Sequence, residues 1–374
     1  MPGFPPVDRF EALLQAGVAG GVFPGAVLLV GSSDGQVVWQ RAGGQRRRDR
    51  PGEAMTLLTR FDLASLTKVL ATTSLAMLAV DEGRLDLEEP IGAILPGLPA
   101  SLTGVTARHC LDHSTGLPAW RPLFEQAAAA GRWPVPPAER QADRQAIRRA
   151  LATTPLEAAP GSRSVYSDLG FMLLDWVLEE RLGERLDQAL ERRLWTPLGL
   201  TQTGFADLDT PPGPDVRCAA TEDCAWRARL LVGEVHDQNA AAMGGISGQA
   251  GLFSTAAEVH RIVLALHRAY RGDPSGPFRP ATVRRFWRPS GVPGSSFRLG
   301  WDGPSASGYT SAGRRIGPDA VGHLGFTGCS LWVAPEAGYW TVLLTNRIHP
   351  AVANRQIVDF RPRLHDLVAA ELRR

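Results

Sequence analysis

Apolar positions run together in short blocks near both ends of the chain and recur with a helical period through its middle. Two strand-like runs, residues 25–31 and 36–41, flank Ser32-Ser33-Asp34-Gly35, a hairpin turn signal. A helical pattern precedes them over residues 7–16. Runs at 330–334 and 339–345 flank Pro335-Glu336-Ala337-Gly338, a second hairpin, and an amphipathic stretch over 351–372 predicts a closing helix. Between these ends, residues 65–81, 146–152, 169–182, 186–194 and 256–269 read as helices, and strand signals are sparse. Residues 210–215 and 272–279 are Pro/Gly-rich connectors, and 303–319 reads as a flexible loop. There is no internal repeat. The pattern predicts an α/β protein: an antiparallel sheet flanked by helices and built from residues 1–62 and 295–374, with a mostly helical domain, 63–294, inserted between them and the active site at their interface.

Composition narrows the function classes. The 374 residues are 44% hydrophobic, enough for a substantial core, and carry a formal net charge of +2. That balance gives no basis for a nucleic-acid partner or an anionic membrane surface. The basic cluster at residues 46–50 is short and reads as a solvated loop. The apolar stretch 17–30 is broken by Gly20, Gly21, Pro24 and Gly25, so neither an export signal nor a membrane span is expected, and the cytoplasm is the expected compartment. The cysteines Cys110, Cys218, Cys224 and Cys329 form no C-x-x-C pair, so free thiols are expected, with no disulfide and no structural metal.

The basic residues carry the sharpest signal. Of 40 Lys and Arg side chains, one is lysine, Lys68, in Ser65-Leu66-Thr67-Lys68. Arg and Lys keep a surface charged equally well, but only an ammonium can lose its proton when desolvated. Ser65 stands at the start of an apolar helix, where free N–H groups and the helix dipole favour negative charge, and Lys68 lies one turn on, on the same face. A nucleophile with an adjacent amine is the chemical reading; an ordinary N-cap beside a snorkelling lysine is the alternative. Gly31-Ser32-Ser33-Asp34-Gly35 matches G-x-S-x-G, but a strand follows where a nucleophile elbow needs a helix, so it reads as a turn.

Further elements stand in order along the chain. Tyr166-Ser167-Asp168 follows Pro160-Gly161-Ser162, and His323-Leu324-Gly325 continues as Phe326-Thr327-Gly328. Together with Ser65-x-x-Lys68, His113–Pro118 and Gly251–Thr255, they resemble the serine β-lactamase and penicillin-binding-protein superfamily, in the manner of class C β-lactamases and family VIII carboxylesterases. The resemblance spans residues 23–347 and implies a β-lactamase-like fold. It further implies Ser65 as acylated nucleophile and Tyr166 as proton relay, either as phenolate base or as acid to the leaving group. The backbone N–H groups of Ser65 and Phe326 would form the oxyanion hole, with Gly325 in the supporting strand and no metal or organic cofactor. Which of Lys68 and Tyr166 takes the first proton is left open.

Two departures from the family pattern bear on chemistry. Asp168 stands where Asn is usual; a carboxylate there would hold Lys68 as an ammonium, unless Asp168 instead caps the helix that follows. His323 stands where lysine is usual, and a largely neutral imidazole weakens recognition of a substrate carboxylate; a buried structural histidine is the alternative. The expected activity is hydrolysis of short-chain carboxylic esters. Amide cleavage in cell-wall muropeptides, weak β-lactam hydrolysis and non-turnover covalent binding of a β-lactam are the alternatives; in each the partner is a small ester, amide or lactam. The polar segment 233–239 reads equally as a cleft wall or as a capped turn.

Overall fold

The computed structural model describes residues 7–128, 132, 134–209 and 217–372. The two ends of the chain meet in one five-stranded antiparallel sheet, in the order Val37–Gly44, Gly25–Ser32, Tyr339–Thr345, Ser330–Ala334, Val321–Leu324. Successive strand residues serve different cores. Val27 and Leu29 join the larger core under the helical region, whereas Ala26, Leu28 and Val30 join a second core. Leu331 and Val333 likewise face the first, and Trp332 and Ala334 the second. A two-residue side-chain period with both faces covered explains why these strands read as unbroken apolar runs.

Helices fill both sides. Val7–Ala19 and Ile357–Leu372 pack on one face, where Phe23 meets Phe360 edge-on at 5.2 Å. Ala256–Tyr270 packs on the other, against the strands Gly25–Ser32 and Tyr339–Thr345. Beyond it lie Ser74–Asp81, Pro137–Ala152 and Asp168–Leu182, whose apolar faces fill the larger core.

Several elements differ from expectation. The helix expected over 65–81 starts as a turn and continues through a π-helical segment, Lys68–Thr73, before becoming α-helical. The helix expected at 146–152 starts at Pro137, because its first two turns are mostly charged or polar and show no apolar period; Pro at the first position suits a helix start. The closing helix starts at Ile357 rather than 351, because the segment before it is held as a loop: Arg347 donates to the Val352 and Asn354 carbonyls, and Asn354 Nδ2 donates to the Gly21 carbonyl at 2.8 Å. Two small sheets were not legible: Phe61–Asp62, Leu252–Ser254 and Gly204–Phe205 form one, and the hairpin Ala220–Cys224/Arg229–Val232 the other. Residues 303–319 form no regular element, yet Ala312 and Ile316 are buried in the second core, so the loop is anchored. The expected connector 210–215 lies outside the described residues. Among the described residues no helix is long and apolar enough to cross a membrane.

Candidate active site

The site is built where the small three-stranded sheet delivers the chain to the apolar helix. Phe61–Asp62 ends in Ala64, whose φ of +47° is a left-handed conformation that non-glycine residues rarely adopt. The buried Asp62 carboxylate holds this turn: Oδ1 accepts from Ala64 N at 2.8 Å and Oδ2 from His236 N at 2.6 Å. Burial raises the Asp62 pKa, and those two N–H groups oppose the rise. The next residue is Ser65.

Lys68 is fully buried, and its Nζ faces three acceptors: Ser65 Oγ at 3.0 Å, Asp168 Oδ1 at 2.6 Å and the Gln249 carbonyl at 3.0 Å. An ammonium has three protons, and each has a partner here. Burial opposes the charge, but the Asp168 carboxylate, with Tyr166, holds Lys68 above its ordinary pKa. Its Nζ also lies 5.0 Å from the Tyr166 ring centroid.

Tyr166 Oη donates to Ser65 Oγ at 2.8 Å. Burial pushes the phenol up to about 12, so the neutral form dominates. Ser65 Oγ thus accepts from both an ammonium and a phenol, which leaves its own proton uncommitted. Behind Tyr166 stands His113, itself at φ +59°. Its Nδ1 accepts from Ser167 N at 3.1 Å, which fixes the neutral tautomer, and its ring packs 4.9 Å from that of Tyr166. Ser167, not Asp168, caps the helix Asp168–Leu182, through a hydrogen bond from Gly170 N. Asp168 is therefore free to turn toward Lys68.

The opposite wall is the turn after Val321–Leu324. A Cβ on Gly325 would stand 2.6 Å from the Leu63 carbonyl, so only glycine lets this strand end approach the Ser65 turn. Thr327 Oγ1 donates to the Asp62 carbonyl at 2.8 Å and locks the two turns together. Among the described residues, neither Ser65 N–H nor Phe326 N–H donates a hydrogen bond. The Phe326 side chain is 52% exposed and stacks on His236 at 5.5 Å. His323 is buried; its Nδ1 lies 2.8 Å from the Leu324 carbonyl, and its ring is 5.8 Å from that of Tyr166.

The structure thus brings Ser65, Lys68, Tyr166 and Asp168 into one hydrogen-bonded cluster and sets His323, Gly325 and Phe326 at its edge. The 233–239 segment belongs to this neighbourhood: His236 bonds Asp62, and Asp237 caps the short helix Gln238–Ala242 while accepting from Gln249 Nε2 at 3.1 Å. The segment is thus a capped turn that borders the Ser65 cluster. Sequence reasoning did not single out Asp62, His113 or Gln249 as individual residues. The polar density of 233–239 was the available signal for that wall, and a carboxylate three residues before Ser65 the signal for Asp62. Gly31–Gly35, by contrast, is the turn between two paired strands.

A sheet of this order, crossed by helices and holding a serine against a buried lysine and tyrosine, defines an active-serine hydrolase class. The Beta-lactamase family profile matches residues 10–360, and the chain belongs to that family. It is 32% identical to a putative D-alanyl-D-alanine carboxypeptidase of Escherichia coli K12, over 89% of this chain and 81% of that protein. It is also 32% identical to an N-acetylmuramyl-L-alanine amidase of Bacillus subtilis, over 92% of this chain and 81% of that one. Among solved structures, EstCE1, a hydrolase with promiscuous acyltransferase activity, is similar at TM-score 0.71 and 24% identity, covering 95% of this chain and 98% of its own. The simvastatin synthase LovD of Aspergillus terreus is similar at TM-score 0.69 and 21% identity, covering 97% and 98%. These structural likenesses bear on the fold.

Proposed function

We propose that this serine hydrolase acts through an acyl-enzyme on Ser65 Oγ and that its preferred substrates are uncharged carboxylic esters. Ser65 Oγ attacks the ester carbonyl, whose oxygen takes up negative charge between the N–H groups of Ser65 and Phe326. With an ester bound, the phenolic hydrogen turns from Ser65 to the leaving oxygen, and the Ser65 proton passes to Tyr166 Oη as the phenolic proton passes to the departing alkoxide. In this relay no phenolate accumulates, as a phenol raised to about 12 requires. Lys68, held as an ammonium by Asp168, keeps both oxygens in place. Water then reverses the sequence and frees the acid.

The substrate preference rests on His323. A carbonyl only accepts, so Nδ1 carries the proton toward Leu324 O and Nε2 is left with a lone pair. Burial, with Lys68 nearby, lowers the imidazole to about 3, so it stays neutral in ordinary buffers. An acceptor in this place repels a substrate carboxylate rather than binding it. That disfavours peptides with a free C-terminus and penicillins, and spares neutral esters.

A second reading, cleavage of an N-acetylmuramyl amide, is favoured by the likeness to the Bacillus subtilis amidase. One panel separates them: p-nitrophenyl butyrate, N-acetylmuramyl-L-alanine and nitrocefin, with intact-mass measurement and a Ser65→Ala control. Turnover of the butyrate, lost in Ser65→Ala, is the expected result. Efficient cleavage of the muramyl amide with negligible esterase turnover would replace the ester reading, and a persistent nitrocefin adduct without turnover would mark a covalent binder.

A further inference from the structure

The Phe326 N–H belongs to the same peptide group as the Gly325 carbonyl, and that carbonyl is held by a cation. Arg361 Nη2 donates to Gly325 O at 2.8 Å and to Cys329 O at 2.7 Å. Arg361 comes from the closing helix Ile357–Leu372 and is 6% exposed. Among the described residues no carboxylate lies within ion-pair distance of it, and its Nε is buried without a partner. Burial lowers the guanidinium to about 10, which leaves it charged at neutral pH. A buried charge without a counter-ion is expensive to keep, and among the described residues the hydrogen bonds of this one go to backbone carbonyls. The following carbonyl, Phe326 O, accepts from Arg347 Nε at 3.0 Å and Nη2 at 2.6 Å. The other assigned donor, Ser65 N–H, lacks such support: its peptide partner Ala64 O accepts from Thr67 N at 3.0 Å and Thr67 Oγ1 at 2.6 Å, both neutral.

We infer that Arg361 is a positioning residue that polarises the Gly325–Phe326 peptide and thereby strengthens the Phe326 N–H as a donor to the reacting carbonyl oxygen, an inference that rests on the functional reading above. A cation bonded to an amide oxygen draws electron density through the amide resonance. The N–H at the other end becomes more positive and a better donor. The oxyanion hole is then asymmetric, with one arm charged from behind and the other neutral. The charge reaches the site through a peptide group, so Arg361 touches no substrate atom.

The test uses the full chain and reads the acyl carbonyl itself. The butyryl-enzyme, made from p-nitrophenyl butyrate labelled with carbon-13 at the carbonyl, is trapped by rapid mixing, and its carbonyl stretch is read by difference infrared spectroscopy. In Arg361→Gln and Arg361→Met the stretch should move to higher frequency, and kcat should fall about 10-fold with KM nearly unchanged, a fraction of the effect of losing a whole donor. Arg361→Lys, which keeps the charge, should restore most of both. An unshifted stretch in either folded neutral variant overturns the inference. A readout without mutation guards against misfolding. In a boronic-acid adduct of the wild-type enzyme, the Phe326 amide proton should resonate downfield of the Ser65 amide proton, and the reverse order overturns the inference. A wild-type enzyme that forms no adduct on Ser65 removes the functional reading instead, so the two failures are distinguishable.

Discussion

Lys68 is a residue whose state is set by others. With three acceptors around Nζ and Asp168 at 2.6 Å, it rests as an ammonium. Asp168 raises its pKa, so Asp168→Asn lowers it, and the ammonium is then lost at a lower pH. If charged Lys68 is the working form, the alkaline limb of the pH–kcat/KM profile should move to lower pH in Asp168→Asn; an unmoved limb would sink the role given to the charge. His323 should show no titration between pH 5 and 8 in an NMR pH series, because its pKa is lowered to about 3. Ser65, Lys68, Tyr166, Asp168 and His323 could be singled out from the sequence because the chemistry proposed for them resides in their side chains. Asp62 and His113 were not, because each matters through a backbone N–H it receives, from Ala64, His236 or Ser167, and such pairings follow from the fold alone. Gln249 was hidden for the same reason, since it is the carbonyl, not the side chain, that accepts from Lys68.

The elements around the site meet with no slack. Gly325 lies against the Leu63 carbonyl, and Thr327 ties its turn to Asp62. Gly325→Ala must push the strand end Val321–Leu324 away from the Ser65 turn, and Phe326 N–H with it. The loss in kcat should reach about 100-fold, the scale of one misplaced oxyanion donor, with a lowered Tm; a variant within a few-fold of wild type would show that the turn yields. The long apolar helices and the two terminal hairpins were legible because their periodicity or turn chemistry is strong. The hairpin Ala220–Cys224/Arg229–Val232 was not: Thr221, Glu222 and Asp223 break any apolar alternation, and the pairing is itself irregular. Nor does an apolar period distinguish the π-helical segment Lys68–Thr73 from an α-helix, since every residue in it is buried.

The molecule as a whole is organised about a sheet with a core on each face. Both cores bear on the candidate site, one by carrying the helix behind Ser65 and the other by seating the helix that supplies Arg361. Leu364 is fully buried in the second core, and Leu364→Ala should cost about 2–5 kcal/mol in urea unfolding. A cost below about 1 kcal/mol would mean that the closing helix adds little to the stability of the sheet.

The second strand of the sheet, Gly25–Ser32, has its neighbours Val37–Gly44 and Tyr339–Thr345 at opposite ends of the sequence. During synthesis the first hairpin leaves the ribosome with one edge bare, and about 300 further residues must be made before that edge is covered, roughly 15–60 s at ordinary elongation rates. A bare apolar edge is a template for pairing with neighbouring chains. Newly made copies are therefore most prone to clump in this interval, and slowing translation ahead of Ser330 should lower the soluble yield more than slowing it after Thr345.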